Sequence, residues 1–289
     1  MSKTFVSILG GLGGMFGWGT SDFFASLSSD KIGHFKTFFW SQLVGMIFAF
    51  LLIPVFGINI SIKFLFVILL IVASIFYSAA YLFFYKGFEI GNVSVVSATI
   101  NLYAVFTMVF AFIFLKQRLT WWQLFAVLMI VLGVTLVSVN FKDLKGRKVK
   151  LMLGVKEALI AALLFGVFWN LSEVISEEVG WLATTLFVKI GSLLFLALFS
   201  LFKKEKLGLS KIKIKTTILV VLIGVLEAVA VVSVNYGIIL GDVILVTPIS
   251  SALSIITILM ALIFLKEKIA RTQAVGIFIA LLGIILTAF

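Results

Sequence analysis

The sequence predicts an all-α polytopic membrane protein, with ten transmembrane helices arranged as two inverted five-helix repeats. Three observations carry that prediction. Of 289 residues, 63% are hydrophobic and 12% charged, with a mean hydropathy of +1.28, whereas soluble domains carry about 25% charged residues. The apolar stretches are continuous and reach the roughly 20 residues that cross about 30 Å of hydrocarbon, without the alternation of barrel strands. The chain also repeats itself: displaced by 150 residues, "GNVSVVSATINLYAVFTMVFAFIFLKQRLTWWQLFAVLMIVLGV" lies over "GDVILVTPISSALSIITILMALIFLKEKIARTQAVGIFIALLGI".

The spans follow from apolar windows bounded by charge and glycine. The first, near 5–28, begins after Lys3 like a signal peptide. It then runs on without a small-x-small cleavage site and is kept as a span. Its "GGLGGMFGWG" holds six glycines in ten residues, a composition for close helix–helix approach. A phosphate-cradling loop would need a preceding strand and a following Lys-Ser/Thr. Spans near 35–57, 63–88, 93–115 and 121–140 complete the first set, residues 1–141, and the basic "NFKDLKGRKVK" supplies a linker, 142–150. The second set, residues 151–289, has spans near 151–175, 181–203, 214–239, 244–265 and 271–288.

Within the repeat, Gly87 meets Gly237, Gly91 meets Gly241, Gln123 meets Gln273 and Gly133 meets Gly283, while "FLKQR" falls on "FLKEK". A shift of 151 brings Trp18, Ser21 and Asp22 of "WGTSD" onto Trp169, Ser172 and Glu173 of "WNLSE", one small indel apart. An odd number of spans per repeat makes the halves enter the bilayer from opposite sides. Such inverted repeats have two near-equivalent states, each open to one face, which is the basis of alternating access.

The absence of cysteine excludes disulfides, thiolate metal sites and cysteine nucleophiles. The one histidine, His34, falls in a loop, so neither metal nor cofactor is expected. The net charge of +11 resides largely in connecting loops, where it reads as membrane orientation rather than nucleic-acid binding.

Ionisable groups inside spans face a cavity or a partner, because each costs about 2.5–3.5 kcal/mol at mid-span. Lys86 and Glu157 lie near predicted ends, within snorkelling reach of water. Glu227 stands near the middle of its span, about 20 Å of helix from either end. It either pairs with Lys189, about one turn off centre, or lines a cavity; the cavity reading is preferred and makes Glu227 the leading substrate contact. Asp22 sits about 9 Å from its span's midplane and Glu173 nearer its span's end, each four residues after Trp18 or Trp169 and so on the same helix face. A carboxylate beside an indole makes one wall of a cation site; helix-end hydrogen bonding and interfacial packing are the alternatives. Lys189 corresponds to Gln42 and Glu227 to Tyr77 in the repeat. Asn101 is a further cavity candidate, and Tyr103 and Asn235 offer hydrogen bonds read first as structural. Three carboxylates against one ammonium favour a cationic or zwitterionic substrate, with protons as the candidate coupling ion.

Ten spans in 5+5 order, an early "WG", and "FLKEK" followed by "Q-x-x-G…GI" resemble the EamA-like branch of the drug/metabolite transporter superfamily over essentially the whole chain. Pro248 and Glu267 match the pattern; Ala98 and Gln117 stand at the corresponding places of the first repeat and depart from it. The resemblance implies a secondary transporter in the cell membrane, with a central cavity walled mainly by spans other than five and ten. It also implies cytoplasmic termini. The rich basic loops after spans five, seven and nine instead place the termini outside, and the charge count is followed here. A passive channel would call for a continuous polar stripe or a ring of like charges. An enzyme lacks the parts, and a scaffold leaves Glu227 and the repeat unexplained.

Overall fold

The computed structural model describes residues 3–58, 62–91, 96, 99–138, 153–204, 207–208, 213–265 and 271–287. The 142–150 linker, Ala98 and Glu267 lie outside the described residues. Inside a bilayer each backbone N–H and C=O must be satisfied within its own segment, so these apolar runs fold as helices. In chain order they are α1 (Lys3–Ile32), α2 (His34–Leu51), α3 (Ile53–Phe56), α4 (Phe64–Ile90), α5 (Leu102–Phe114) and α6 (Trp121–Ser138). The second half supplies α7 (Val155–Val179), α8 (Trp181–Lys203), α9 (Ile214–Leu240), α10 (Val243–Ser250), α11 (Leu253–Leu265) and α12 (Arg271–Leu286). Span two is α2 with α3, and span nine is α10 with α11.

Five of the spans are long and apolar enough to cross a bilayer on their own: α2 with α3, α4, α7, α8 and α9. Helix α1 is longer, at 30 residues, but its glycines, serines and Asp22 dilute its hydropathy. Its neighbours explain that composition, because α1 packs against α9, α10, α11 and α2 in the interior. A Cβ at Gly10 would lie 2.7 Å from the Cα of Gly237, and one at Gly17 2.8 Å from the Leu226 carbonyl oxygen. Only glycine lets α1 and α9 come this close.

The packing obeys the repeat. Helix α1 meets α9 as α7 meets α4; α2 meets α9 as α8 meets α4; α2 and α8 meet each other, as do α6 and α12. Each contact is converted into another, or into itself, by exchanging halves. At the α6–α12 crossing a Cβ on Gly133 would lie 2.4 Å from Ala280 N and 2.6 Å from Gly276 O, and one on Gly283 2.8 Å from Ala126 O. Gly276 and Ala126 are themselves related by the 150-residue displacement.

The turns between spans repeat too. Gly33 (φ +84°) and Gly180 (φ +93°) are the single residues separating α1 from α2 and α7 from α8. In each case the glycine N–H closes the outgoing helix, on Ser29 O or Ser176 O at 2.9 Å. Its carbonyl opens the next, accepting from Thr37 N or Thr184 N. Glycine adopts this positive φ without the Cβ penalty. The outer face carries large apolar side chains, among them Phe64, Phe112, Phe202 and Phe278, a surface suited to lipid rather than water. Trp121 and Trp122 project at the start of α6, as interfacial anchors do.

Candidate functional site

Four polar side chains meet in the bilayer interior on the repeat's exchange axis. Lys189 of α8 and Glu227 of α9, each 1% exposed, form a buried ion pair. The Tyr77 hydroxyl of α4 donates to the other oxygen of Glu227. The Gln42 carbonyl of α2 accepts from Lys189 Nζ at 3.1 Å and from Tyr77 at 3.4 Å. Lys189 Nζ also lies 5.9 Å from the Tyr77 ring centroid. Gln42 and Lys189 are 147 positions apart, Tyr77 and Glu227 150, so the four are two symmetry-related pairs. Half-exchange turns Lys189–Glu227 into Gln42–Tyr77, and maps the other two bonds onto themselves. Gly45 sits against the cluster: a Cβ there would be 3.0 Å from Lys189 Nζ and 3.4 Å from Glu227 Oε2.

Beside this cluster the two tryptophans touch, with Trp18 and Trp169 ring centroids 5.3 Å apart. They border a cavity of about 30 Å³ whose walls are the rings of Trp18, Tyr81, Phe84, Tyr103, Phe165 and Trp169. Asp22 supplies the carboxylate of this wall. It is 4% exposed and has no hydrogen-bond or ion-pair partner among the described residues. The indole N–H of Trp18 is buried without an acceptor as well. None of the described residues that line the cavity belongs to spans five or ten.

Ile100 and Leu253 also line the cavity, and each flanks a break in its helix. Span nine is interrupted at Ser251 and Ala252 between α10 and α11. Pro248 lies inside α10, where it has no N–H for the carbonyl one turn back, and the break follows it. The chain recovers with short bonds from Ala252 N to Ile249 O (3.2 Å) and from Ile255 N to Ala252 O (2.9 Å). Span four breaks at Asn101, the residue that the 150 displacement lays on Ser251. The two broken helices are tied to each other by Asn101 Nδ2 donating to Ser254 Oγ (3.0 Å) and by Tyr103 Oη with Ser250 Oγ (2.8 Å). Discontinuous helices facing each other near the midplane are how inverted-repeat transporters build binding sites.

Glu173 has a different environment from its repeat mate Asp22. Its carboxylate accepts from Gln117 Nε2 (2.7 Å) and from the Val243 amide (3.4 Å), and Gln117 Oε1 accepts from the Ile244 amide (3.2 Å). A carboxylate at a helix N-terminus is well placed, so Glu173 and Gln117 together cap α10 and bind spans four, six and nine on one side of the protein. The counterparts of Gln117 and Val243, Glu267 and Val93, lie outside the described residues.

The site residues read from the sequence thus divide into four places. Trp18, Asp22 and Trp169 line the cavity; Gln42, Tyr77, Lys189 and Glu227 bond one another beside it; Glu173 caps α10, and Asn101 ties the helix breaks. Lys86 and Glu157 approach to 3.9 Å near the helix ends, and Asn235 bridges Ser172 and Thr185. Sequence reasoning missed Tyr81, Phe84 and Phe165. The signal for the first was the Tyr77, Tyr81, Tyr85 stripe, an i, i+4 spacing on one face of α4. It also treated Gln117 only as a departure from a pattern, although its side chain is half of the α10 cap.

Comparison with known proteins adds to this geometry. The EamA-like transporter family model matches the chain twice, over residues 5–139 and 152–289. A crystal structure described only as that of a protein has a TM-score of 0.79 at 16% identity, covering 97% of this chain and 95% of the other; at that identity the likeness concerns the fold. None of the curated proteins matches.

Proposed function

This chain belongs to the EamA-like transporter family, and from that premise we propose that it is a secondary active transporter moving a small organic metabolite, cationic or zwitterionic, across the cell membrane by alternating access. The two five-helix units, 1–141 and 151–289 about the 142–150 linker, are its moving parts. The observation that carries the proposal is the meeting of two broken, repeat-related helices at a cavity with a buried carboxylate, Asp22, that has no partner among the described residues. An ionised carboxylate there requires a counter-charge. The substrate supplies it in one leg of the cycle, and a proton or a second substrate in the other, so the cycle is proton-coupled or an exchange.

The cavity as it stands has room for about two waters, so an organic substrate enters only when the helices part. The Glu173–Gln117–α10 cap holds one side together. Its breaking opens that side, while the ion-paired cluster on the axis, whose four positions exchange among themselves, persists as the fulcrum. A passive channel is the weaker reading, since six of the cavity's side chains are aromatic and it has no ring of like charges. The test is counterflow in proteoliposomes carrying the purified chain, screened with amines and amino acids. Accelerated accumulation that Asp22→Asn abolishes in a folded protein supports the proposal. Flux that persists unchanged in the variant removes Asp22 from the site, and the absence of flux for every amine, amino acid, sugar and organic anion removes the transport reading.

A further inference from the structure

We propose that the cavity selects organic cations over zwitterions: its ligand is a monovalent ammonium on an apolar body, held by Asp22 and the Trp18–Trp169 pair. This rests on the reading of the cavity as the transport site and narrows its substrate class.

Binding an amino acid takes two charged subsites, one for the ammonium and one for the carboxylate. The cavity has the first. Asp22 is buried and unpaired, and the surrounding rings present negative faces that attract a desolvated cation. The second subsite has no free cation among the described lining residues, and the stronger donors nearby are occupied. The deepest ammonium, Lys189, is neutralised by Glu227 and shared with Gln42. The N-terminus of α10 is an anion site by its nature. Its first amides are already taken, Val243 N by Glu173 and Ile244 N by Gln117. The Asn101 amide and the Tyr103 hydroxyl are spent on the opposite broken helix. A substrate carboxylate in this cavity would face Asp22 with no cation among the described lining residues to offset it. The idle donors among the described lining residues, Trp18 Nε1 and the Tyr81 hydroxyl among them, are neutral and suit a hydroxyl or carbonyl oxygen on the ligand.

The test uses the full chain in nanodiscs and three probes built on one phenylethyl body: phenethylammonium, phenylalanine and 3-phenylpropionate, a cation, a zwitterion and an anion. Benzyltrimethylammonium is added as a cation without hydrogen-bond donors. Binding is read from intrinsic tryptophan fluorescence and from the rise in melting temperature that a ligand of the folded state produces. The expected result is saturable binding of the two cations, with phenylalanine and phenylpropionate about tenfold weaker or absent. Asp22→Asn should weaken the cations by about tenfold or more, and Asp22→Glu should retain them. Trp18→Leu, which keeps the carboxylate, should weaken benzyltrimethylammonium about threefold or more. Phenylalanine or phenylpropionate binding as tightly as phenethylammonium would overturn the proposal. So would cation affinity unchanged in folded Asp22→Asn, or no cation binding at millimolar concentration. Counterflow with the same probes separates the two readings. Cation binding without flux sinks transport and leaves the ligand class standing; flux of phenylalanine sinks the ligand class and leaves transport.

Discussion

Consider replacing Lys189 by Met and Glu227 by Gln, singly and together. Both side chains are 1% exposed and bonded to each other, in a low-dielectric interior where neither reaches water. Removing Lys189 leaves the Glu227 carboxylate with only the Tyr77 hydroxyl as donor. Removing the charge of Glu227 leaves the ammonium with neutral acceptors, Gln42 Oε1 at 3.1 Å among them. Breaking a buried pair from one side costs about 3–5 kcal/mol, whereas replacing both partners is often close to neutral. Each single variant is therefore expected to lose about 3–5 kcal/mol, and the double variant, which keeps an amide to accept from Tyr77, about 0–2 kcal/mol. The cycle then shows a coupling of at least about 3 kcal/mol, against the roughly 0.3–0.5 kcal/mol of independent sites. Reversible denaturant unfolding in mixed micelles measures it. Additive losses would refute the pairing and, with it, the role of the cluster as a fulcrum. The double variant also decides what Glu227 does in transport. Flux retained makes the pair architectural; flux lost in a folded, stable double variant makes Glu227 a substrate contact, the role the sequence favoured.

Three further outcomes are expected. Gln117→Ala removes the donor to Glu173 and the acceptor of the Ile244 amide, and should cost about 1–3 kcal/mol by thermal unfolding; no change would mean that the α10 cap contributes nothing. Gly133→Ala drives a methyl into the α12 backbone, 2.4 Å from Ala280 N, and should destabilise by about 1–3 kcal/mol. Gly208→Ala, with open space around it, should be silent, and equal effects at the two positions would refute the tight α6–α12 crossing. Because the chain has no cysteine, single cysteines at Ile62 and Lys204 report orientation directly. An impermeant maleimide applied to intact cells should label Ile62→Cys and spare Lys204→Cys, as the basic loops require; the reverse pattern would give the chain the orientation that the resemblance implied.

The spans were legible because the bilayer imposes a length and a composition that survive without tertiary information. The eighth was read at 214–239 and the helix runs Ile214–Leu240. The repeat carried further than the spans. It paired Gln42 with Lys189 and Tyr77 with Glu227 before any contact was known, and the structure brings those two pairs into one cluster. It missed the helix turns at Gly33 and Gly180, which share the 147 offset of Gln42 and Lys189 and would have located the indel.

What the sequence by itself determined was therefore the class of protein, its inverted halves, and which polar residues correspond. Tertiary structure alone decided which of these face one another and which face a cavity. In a soluble helix, polar and apolar faces announce the core; here lipid and protein interior are both apolar, so periodicity could not set Phe84 and Phe165 apart from side chains that face lipid. Nor could it separate Asp22 from Glu173, which share a motif. Glu173 is bound together with Gln117 to the amides of α10, while Asp22 is left beside a cavity, because the same motif meets different neighbours in the two halves. That asymmetry belongs to the arrangement of the halves, and no residue-by-residue reading contains it.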